Sequence, residues 1–130
     1  MFSLKALLVV AFVAASSVSS ASIAARQSSV SCGGHSISSS QIQTALQTGY
    51  DDYQNGSSPS GYPHAYYQYA DEHITLQCDG NSYHEFPITG STPFTGGSPG
   101  AYRVIFNDDG DYCATVYHAS KSDNSFAQCN

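Results

Sequence analysis

Positive charge is the scarcest thing in this sequence. Four Lys and Arg stand against ten Asp and Glu in 130 residues, a formal charge of −6 with the histidines neutral. A chain so short of cations exerts little long-range attraction on a polyanion, which excludes a tight, basic nucleic-acid binder. Chemistry on a phosphate would have to use a few local cations. Tryptophan is absent and methionine occurs once, so a small core must be built from aliphatic side chains, Phe and Tyr, with covalent help. No Cys-x-x-Cys pair occurs, which disfavours a structural zinc site. No apolar run reaches the length that spans a bilayer.

What is present at the N-terminus is Lys5, a short apolar run from Ala6 to Ala15, and the small residues Ser19, Ser20 and Ala21. That order is the pattern of a secretory signal peptide, residues 1–21, cut after Ala21. A membrane anchor is the weaker alternative, because no second apolar segment follows. Residues 22–31 are expected to be a disordered segment or a short pro-segment ending at Arg26, and residues 32–130 a single domain. After the cut, Arg26, Arg103 and Lys121 face ten acids, a formal charge of −7. The expected product is secreted, extracellular, monomeric and without a membrane partner. Cys32, Cys78, Cys113 and Cys129 are an even number in an oxidising compartment and imply two disulfides. Spacing does not choose among the three pairings. Closing the outer pair, Cys32 to Cys129, would be worth roughly 4–5 kcal/mol by loop-closure entropy.

One helix is expected over roughly residues 40–54, where Ile42, Ala45, Leu46, Gly49, Tyr50 and Tyr53 recur at helical spacing. Ser40 and Gln43 supply a capping-box pair, and Gly56 a stop. Asn55-Gly56-Ser57 is a glycosylation sequon in a loop. Strands are expected at 62–67, 73–78, 83–88, 101–107, 112–118 and 126–129, with an Asp109-Gly110 hairpin turn and a Gly/Pro-rich loop at 89–100. These elements make an α+β domain: one α-helix packed on a small antiparallel β-sheet, held by two disulfides.

Period two decides which side chains share a face. Glu85 opposes His84, Phe86 and Ile88; Arg103 opposes Tyr102, Val104 and Phe106; His118 lies on the face of Ala114 and Val116. If the three strands pair, a carboxylate, a guanidinium and an imidazole meet on one surface. Such a trio suits RNA transesterification. The carboxylate takes the 2′-hydroxyl proton, the guanidinium holds the phosphate, and the imidazolium protonates the departing 5′-oxygen. Taken by themselves, the three residues fit a solvated ion cluster equally well. The tyrosines of Tyr62-Pro63-His64-Ala65-Tyr66-Tyr67-Gln68-Tyr69 can stack on a base or simply fill amphipathic positions. His35, His73 and His84 have no nameable partner and read as structural or surface residues.

Read in order, the chain resembles the fungal guanyl- and purine-specific ribonucleases. The resemblance rests on Tyr62-Pro63-His64, Glu85-Phe86-Pro87, Gly96-Gly97-Ser98-Pro99-Gly100-Ala101-Tyr102-Arg103-Val104-Ile105-Phe106, Cys113-Ala114-Thr115-Val116-Tyr117-His118 and Phe126-Ala127-Gln128-Cys129. It implies Glu85 as general base, Arg103 on the phosphate and His118 as general acid. Tyr62 and His64 stand beside the phosphate, with His64 supporting or replacing Glu85, and Phe126 shapes the site. It implies a 2′,3′-cyclic phosphate product hydrolysed to a 3′-phosphate, single-stranded RNA as partner, and no metal or other cofactor. It further implies the pairing Cys32–Cys129 and Cys78–Cys113.

For the base, the resemblance points to the loop after His64: Tyr66, Tyr67, Gln68, Tyr69 and Glu72, with Asn124 a further contact. Glu72 is the base-binding carboxylate, and Tyr66 and Tyr69 are the stackers. The loop lacks the two asparagines of the guanyl form and is longer, as in the purine-preferring branch, whereas the Gly96–Ala101 loop is of the guanyl form. Tyr102 stands where the family usually has an aspartate. Ribotoxins, the basic relatives with lysine-rich loops, do not fit an acidic chain with short loops. A non-enzymatic secreted effector on the same fold is the rival of a different class, and all five catalytic positions being filled speaks against it.

Overall fold

The computed structural model describes residues 28–120 and 122–130. The signal-peptide reading of residues 1–21 lies outside the described residues, as does most of the 22–31 segment. Seven strands and one α-helix follow in the order β1 (Val30–Cys32), β2 (His35–Ile37), α1 (Ser39–Asn55), β3 (His64–Tyr66), β4 (Tyr83–Pro87), β5 (Tyr102–Asn107), β6 (Tyr112–Tyr117) and β7 (Ala127–Gln128). Strands β3 to β7 form one antiparallel sheet in chain order, and β1 and β2 form a separate hairpin. The class is α+β as the sequence implied, with five strands in the main sheet.

The β1–β2 hairpin is a correction to the sequence reading, which left residues 22–31 without structure. Val30 and Ser31 pair with Ile37 and Ser36, and the turn is Gly33-Gly34 with φ of +59° and +91°. A Gly-Gly pair is a two-residue hairpin signal, but three-residue strands are too short to show period two. Ser31 and Asn130 exchange backbone hydrogen bonds of 2.8 and 2.9 Å. Cys32-Gly33-Gly34-His35 has Cys-x-x-His spacing, but its cysteine is joined to Cys129, and Cys78 is joined to Cys113.

The helix begins earlier than Ser40. Ser38 is the N-cap, its hydroxyl accepting from the Gln41 N–H at 3.2 Å while the Gln41 side chain accepts from the Ser38 N–H at 2.9 Å. The chain offers the Ser/Gln spacing twice, and the hydrophobic staple chooses between them. A cap at Ser38 puts Ile37 before the cap and Ile42 at the fourth helical position, both buried in the same cluster. Gly56, at φ +70°, ends the helix and donates to the carbonyls of Asp52 and Tyr53.

A second correction concerns residues 73–78, which are not a strand. Gln128 takes both backbone groups of Thr75 with its amide, the Gln77 N–H donates to the Cys113 carbonyl, and Cys78 is anchored to Cys113. An amide and a disulfide thus do there what a β-ladder would do elsewhere. Nor is His84 without a partner: its Nε2 lies 2.7 Å from Asp108, and its ring packs 4.1 Å from that of Tyr53, which donates to the same carboxylate. His35 stacks on Tyr102 at 4.8 Å, so the residue just before Arg103 has an aromatic neighbour.

The sheet divides the protein. One face carries Phe86, Ile88, Val104 and Phe106 against Ile42, Ala45 and Leu46 of α1. The other carries Ile105, Ala114 and Val116 with Tyr66 and Ile74. Gly49 is where helix and sheet come closest: a β-carbon there would lie 2.8 Å from Phe86 Cβ and 3.1 Å from Phe106. Gly49→Ala should therefore lower the urea midpoint, by about 1–3 kcal/mol of overpacking, although alanine is the better helix former by about 1 kcal/mol. A stabilised variant would show that the contact relaxes freely.

Candidate active site

The face of the sheet away from α1 is also where the ionisable side chains gather. Strand pairing puts His64 opposite Glu85, Arg103 opposite Pro87 and Val116, and Glu85 opposite Ile105. Glu85 and Arg103 are therefore diagonal neighbours on adjacent strands, the reach at which long side chains meet. His118 follows the end of β6, where its N–H donates to the Ala101 carbonyl at 3.0 Å. The period-two expectation holds for all three.

Glu85 Oε1 is the hub. His64 Nε2 lies 3.6 Å away and Arg103 Nε 3.4 Å. Both Glu85 and Arg103 are buried, at 5% and 3% exposure. Burial pushes the Glu85 carboxyl above the usual carboxylate range, and the positive charges of His64 and Arg103 pull it back only in part. Arg103 is fixed by carbonyls: one terminal nitrogen donates to Gly100 at 2.8 Å, Tyr102 at 3.0 Å and Pro99 at 3.4 Å. The other donates to the Tyr62 hydroxyl at 3.1 Å, and the guanidinium carbon lies 5.1 Å from the Tyr62 ring centre. Tyr62 in turn packs on His64 at 4.6 Å.

His118 stacks on Phe126 at 4.1 Å, and its Nδ1 is 3.1 Å from the Ser125 carbonyl. A carbonyl can only accept, so Nδ1 carries a proton and Nε2 is the nitrogen free to gain or lose one. A groove of about 320 Å³ is lined by Tyr62, His64, Glu85, His118, Asn124 and Phe126.

A second hollow, of about 240 Å³, adjoins it. Its walls include Tyr66, Tyr67, Tyr69, Glu72, Asn124 and Phe126, and it shares His64 and Glu85 with the first. Glu72 Oε2 accepts the Phe126 N–H at 2.8 Å, whereas its Oε1 is buried with no hydrogen-bond partner among the described residues. The Tyr66 hydroxyl is in the same state, its pKa pushed up to about 12 by burial first and by Glu72 and Glu85 next. Tyr66 is thus a wall of the hollow rather than a free stacker, packed beside Phe126 at 6.0 Å. Gln68 does not line the hollow; its amide donates to the Ile74 carbonyl at 2.7 Å and ties the loop down.

All the acid, base and phosphate candidates read from the sequence thus converge. What sequence reasoning missed are backbone acceptors: Pro99, Gly100 and Tyr102 for Arg103, and Ser125 for His118. The Gly96–Gly100 run was the available signal for the first group, since glycines let backbone approach closely.

A family model described as ribonuclease matches residues 25–130. Guanyl-specific ribonuclease U1 of Ustilago sphaerogena is 41% identical over 105 residues, covering 78% of this chain and 95% of that one. Guanyl-specific ribonuclease F1 of Fusarium fujikuroi is 39% identical over 110 residues, covering 83% and 82%. Among solved structures, a ribonuclease from Hericium erinaceus superposes with a TM-score of 0.59 at 38% identity, covering 78% of this chain and 98% of that one. Over essentially its whole described length, this chain belongs to the ribonuclease family.

Proposed function

We propose that this protein is a secreted, monomeric endoribonuclease that cleaves single-stranded RNA after guanine, by transesterification to a 2′,3′-cyclic phosphate that is then hydrolysed to a 3′-phosphate. The observation that carries the reading is the convergence of His64 and Arg103 on one oxygen of Glu85, with His118 on the same groove. The names of the relatives supply the guanine. The signal-like N-terminus supports export, and among the described residues no helix is long and apolar enough to cross a membrane.

Glu85, its proton affinity raised by burial, takes the 2′-hydroxyl proton. His64, next to it, shares or assumes that task. Arg103 neutralises charge at the phosphate as it becomes pentavalent, already oriented by its carbonyl partners and by Tyr62. His118 Nε2 gives its proton to the 5′-oxygen that leaves, and Phe126 holds the ring in place. In hydrolysis of the cyclic phosphate the two roles exchange. In the first step the nucleophile is the substrate's own 2′-hydroxyl; in the second it is water, whose proton His118 takes while Glu85 returns one to the departing 2′-oxygen.

Glu72 Oε1 selects the base. Guanine presents N–H donors on the edge that a buried acceptor reads, whereas adenine presents an acceptor at N1. An unpaired buried carboxylate oxygen thus favours guanine and rejects adenine. Tyr69 covers the base, and Asn124 borders both base and phosphate.

The first experiment is cleavage of GpC, ApC and UpC by the oxidised mature protein in EDTA. Fast GpC cleavage to a cyclic phosphate is expected; inertness towards all three, in a folded protein, would favour a non-enzymatic role. His118→Ala should lose activity by about 10²–10⁴-fold, the usual worth of a general acid, with the unfolding transition still cooperative; an active variant would remove His118 as the acid.

The acidic limb of the kcat/KM profile should lie above the 4.5 of an ordinary glutamate, since burial raises the pKa of the base and the carboxylate form is the active one. Glu85→Gln should displace that limb, since another base now sets it, and leave only the residual activity that His64 supports. An unchanged limb would assign the base elsewhere. Arg103 is the only Lys or Arg among the described residues. With only Arg26 and Lys121 besides it after residue 21, log kcat/KM on long RNA should fall with log salt no more steeply than about −2, the slope of three phosphate contacts. A steep slope would reveal a cationic surface formed some other way.

A further inference from the structure

Three large hydrophobic side chains are conspicuously exposed among the described residues: Tyr53 at 38%, Tyr67 at 65% and Tyr69 at 59%. Tyr53 is occupied, bonded to Asp108 and packed on His84. Tyr67 and Tyr69 are a different case. Gln68 between them is tied to the Ile74 carbonyl by its side chain, whereas the Tyr67 and Tyr69 rings stand exposed. Their rings lie 6.3 Å apart, inclined by 46°, and both border the hollow that holds Glu72. One ring suffices to cover a single base there. The other is left over.

We infer that Tyr67 is a stacking platform for the nucleotide on the 5′ side of the guanine, a second base site outside the hollow. The inference rests on the ribonuclease reading above. Its direction follows from the two cavities. The groove containing His118, where the 3′ nucleoside departs, is bordered by neither Tyr67 nor Tyr69, so the tyrosines stand on the side from which the 5′ strand enters. Its chemistry follows from charge. Asp71 and Glu72 lie on the same loop, and Arg103, the one Lys or Arg among the described residues, is buried against Glu85. Among the described residues no Lys or Arg borders Tyr67, so the hold on the strand there is assigned to a base face, which stacks on an aromatic ring irrespective of sequence.

The test compares three substrates: GpC, 5′-phosphorylated pGpC, and a trinucleotide with 2′-deoxyadenosine joined 5′ to GpC. The deoxy sugar confines cleavage to the bond after guanine. For the wild type, kcat/KM for the trinucleotide should exceed that for pGpC by about tenfold, within the range of one stacked base, and the ratio should hold over a fourfold salt range. Tyr67→Ala should bring the ratio near one, and Tyr67→Phe should retain it. Equal rates for pGpC and the trinucleotide in the wild type would overturn the platform, as would a ratio that survives Tyr67→Ala. Wild-type protein inert even to GpC would instead overturn the ribonuclease reading on which the platform rests.

Discussion

Arg103 brings a permanent positive charge into a place with almost no water, and much of the surrounding structure answers that fact. An unpaired buried guanidinium would be worth several kcal/mol against folding. Two carbonyls from the end of the Gly-rich loop, that of Tyr102 at the start of β5, the Tyr62 hydroxyl and the Glu85 carboxylate take up the charge. The loop must bend so that Pro99 and Gly100 turn their carbonyls towards the guanidinium, β5 must pair with β4 so that Arg103 and Glu85 are diagonal, and Tyr62 must sit where it does. Orientation of the guanidinium that we propose binds the phosphate and satisfaction of a buried charge are one arrangement.

Glu85 feels both sides of this. Its partners favour the carboxylate, its burial favours the acid, and burial prevails. A fully solvated glutamate beside the same arginine would be a weaker base. The apolar neighbours on its face, Ile105 and Tyr66 among them, therefore contribute to the chemistry by excluding water, without touching a reacting atom.

The sheet face was legible in the sequence because β4, β5 and β6 are five or six residues long, enough for period two to assign every side chain. The spacing of Ile42, Ala45, Leu46 and Gly49 located the helix for the same reason. What escaped was decided by contacts that no local pattern carries. Val30 and Ser31 become a strand because Ile37 and Asn130 are there to pair with. Residues 73–78 look like a strand and are not one, because the side chain of Gln128 and Cys113 take their places in the ladder. The choice between two equivalent Ser/Gln caps fell to Ile37, which lies outside the capping motif. In the site, side chains were found and carbonyls were not, since a carbonyl has no letter in the sequence.

The Ser31–Asn130 pairing and the Cys32–Cys129 bridge tie one edge of the domain to the other across 97 positions of sequence. Strand β1 therefore has no neighbour at its outer edge until residues 129 and 130 have been made. β7, which carries Phe126 and the Ser125 carbonyl to His118, is completed at the same moment. A ribosome reads from the N-terminus, so the protein remains an incomplete sheet with an unassembled acid group throughout its own translation. The closing bond further requires an oxidant that the cytosol does not supply. Chain order thus makes the groove between Glu85 and His118 one of the last features of the fold that can assemble.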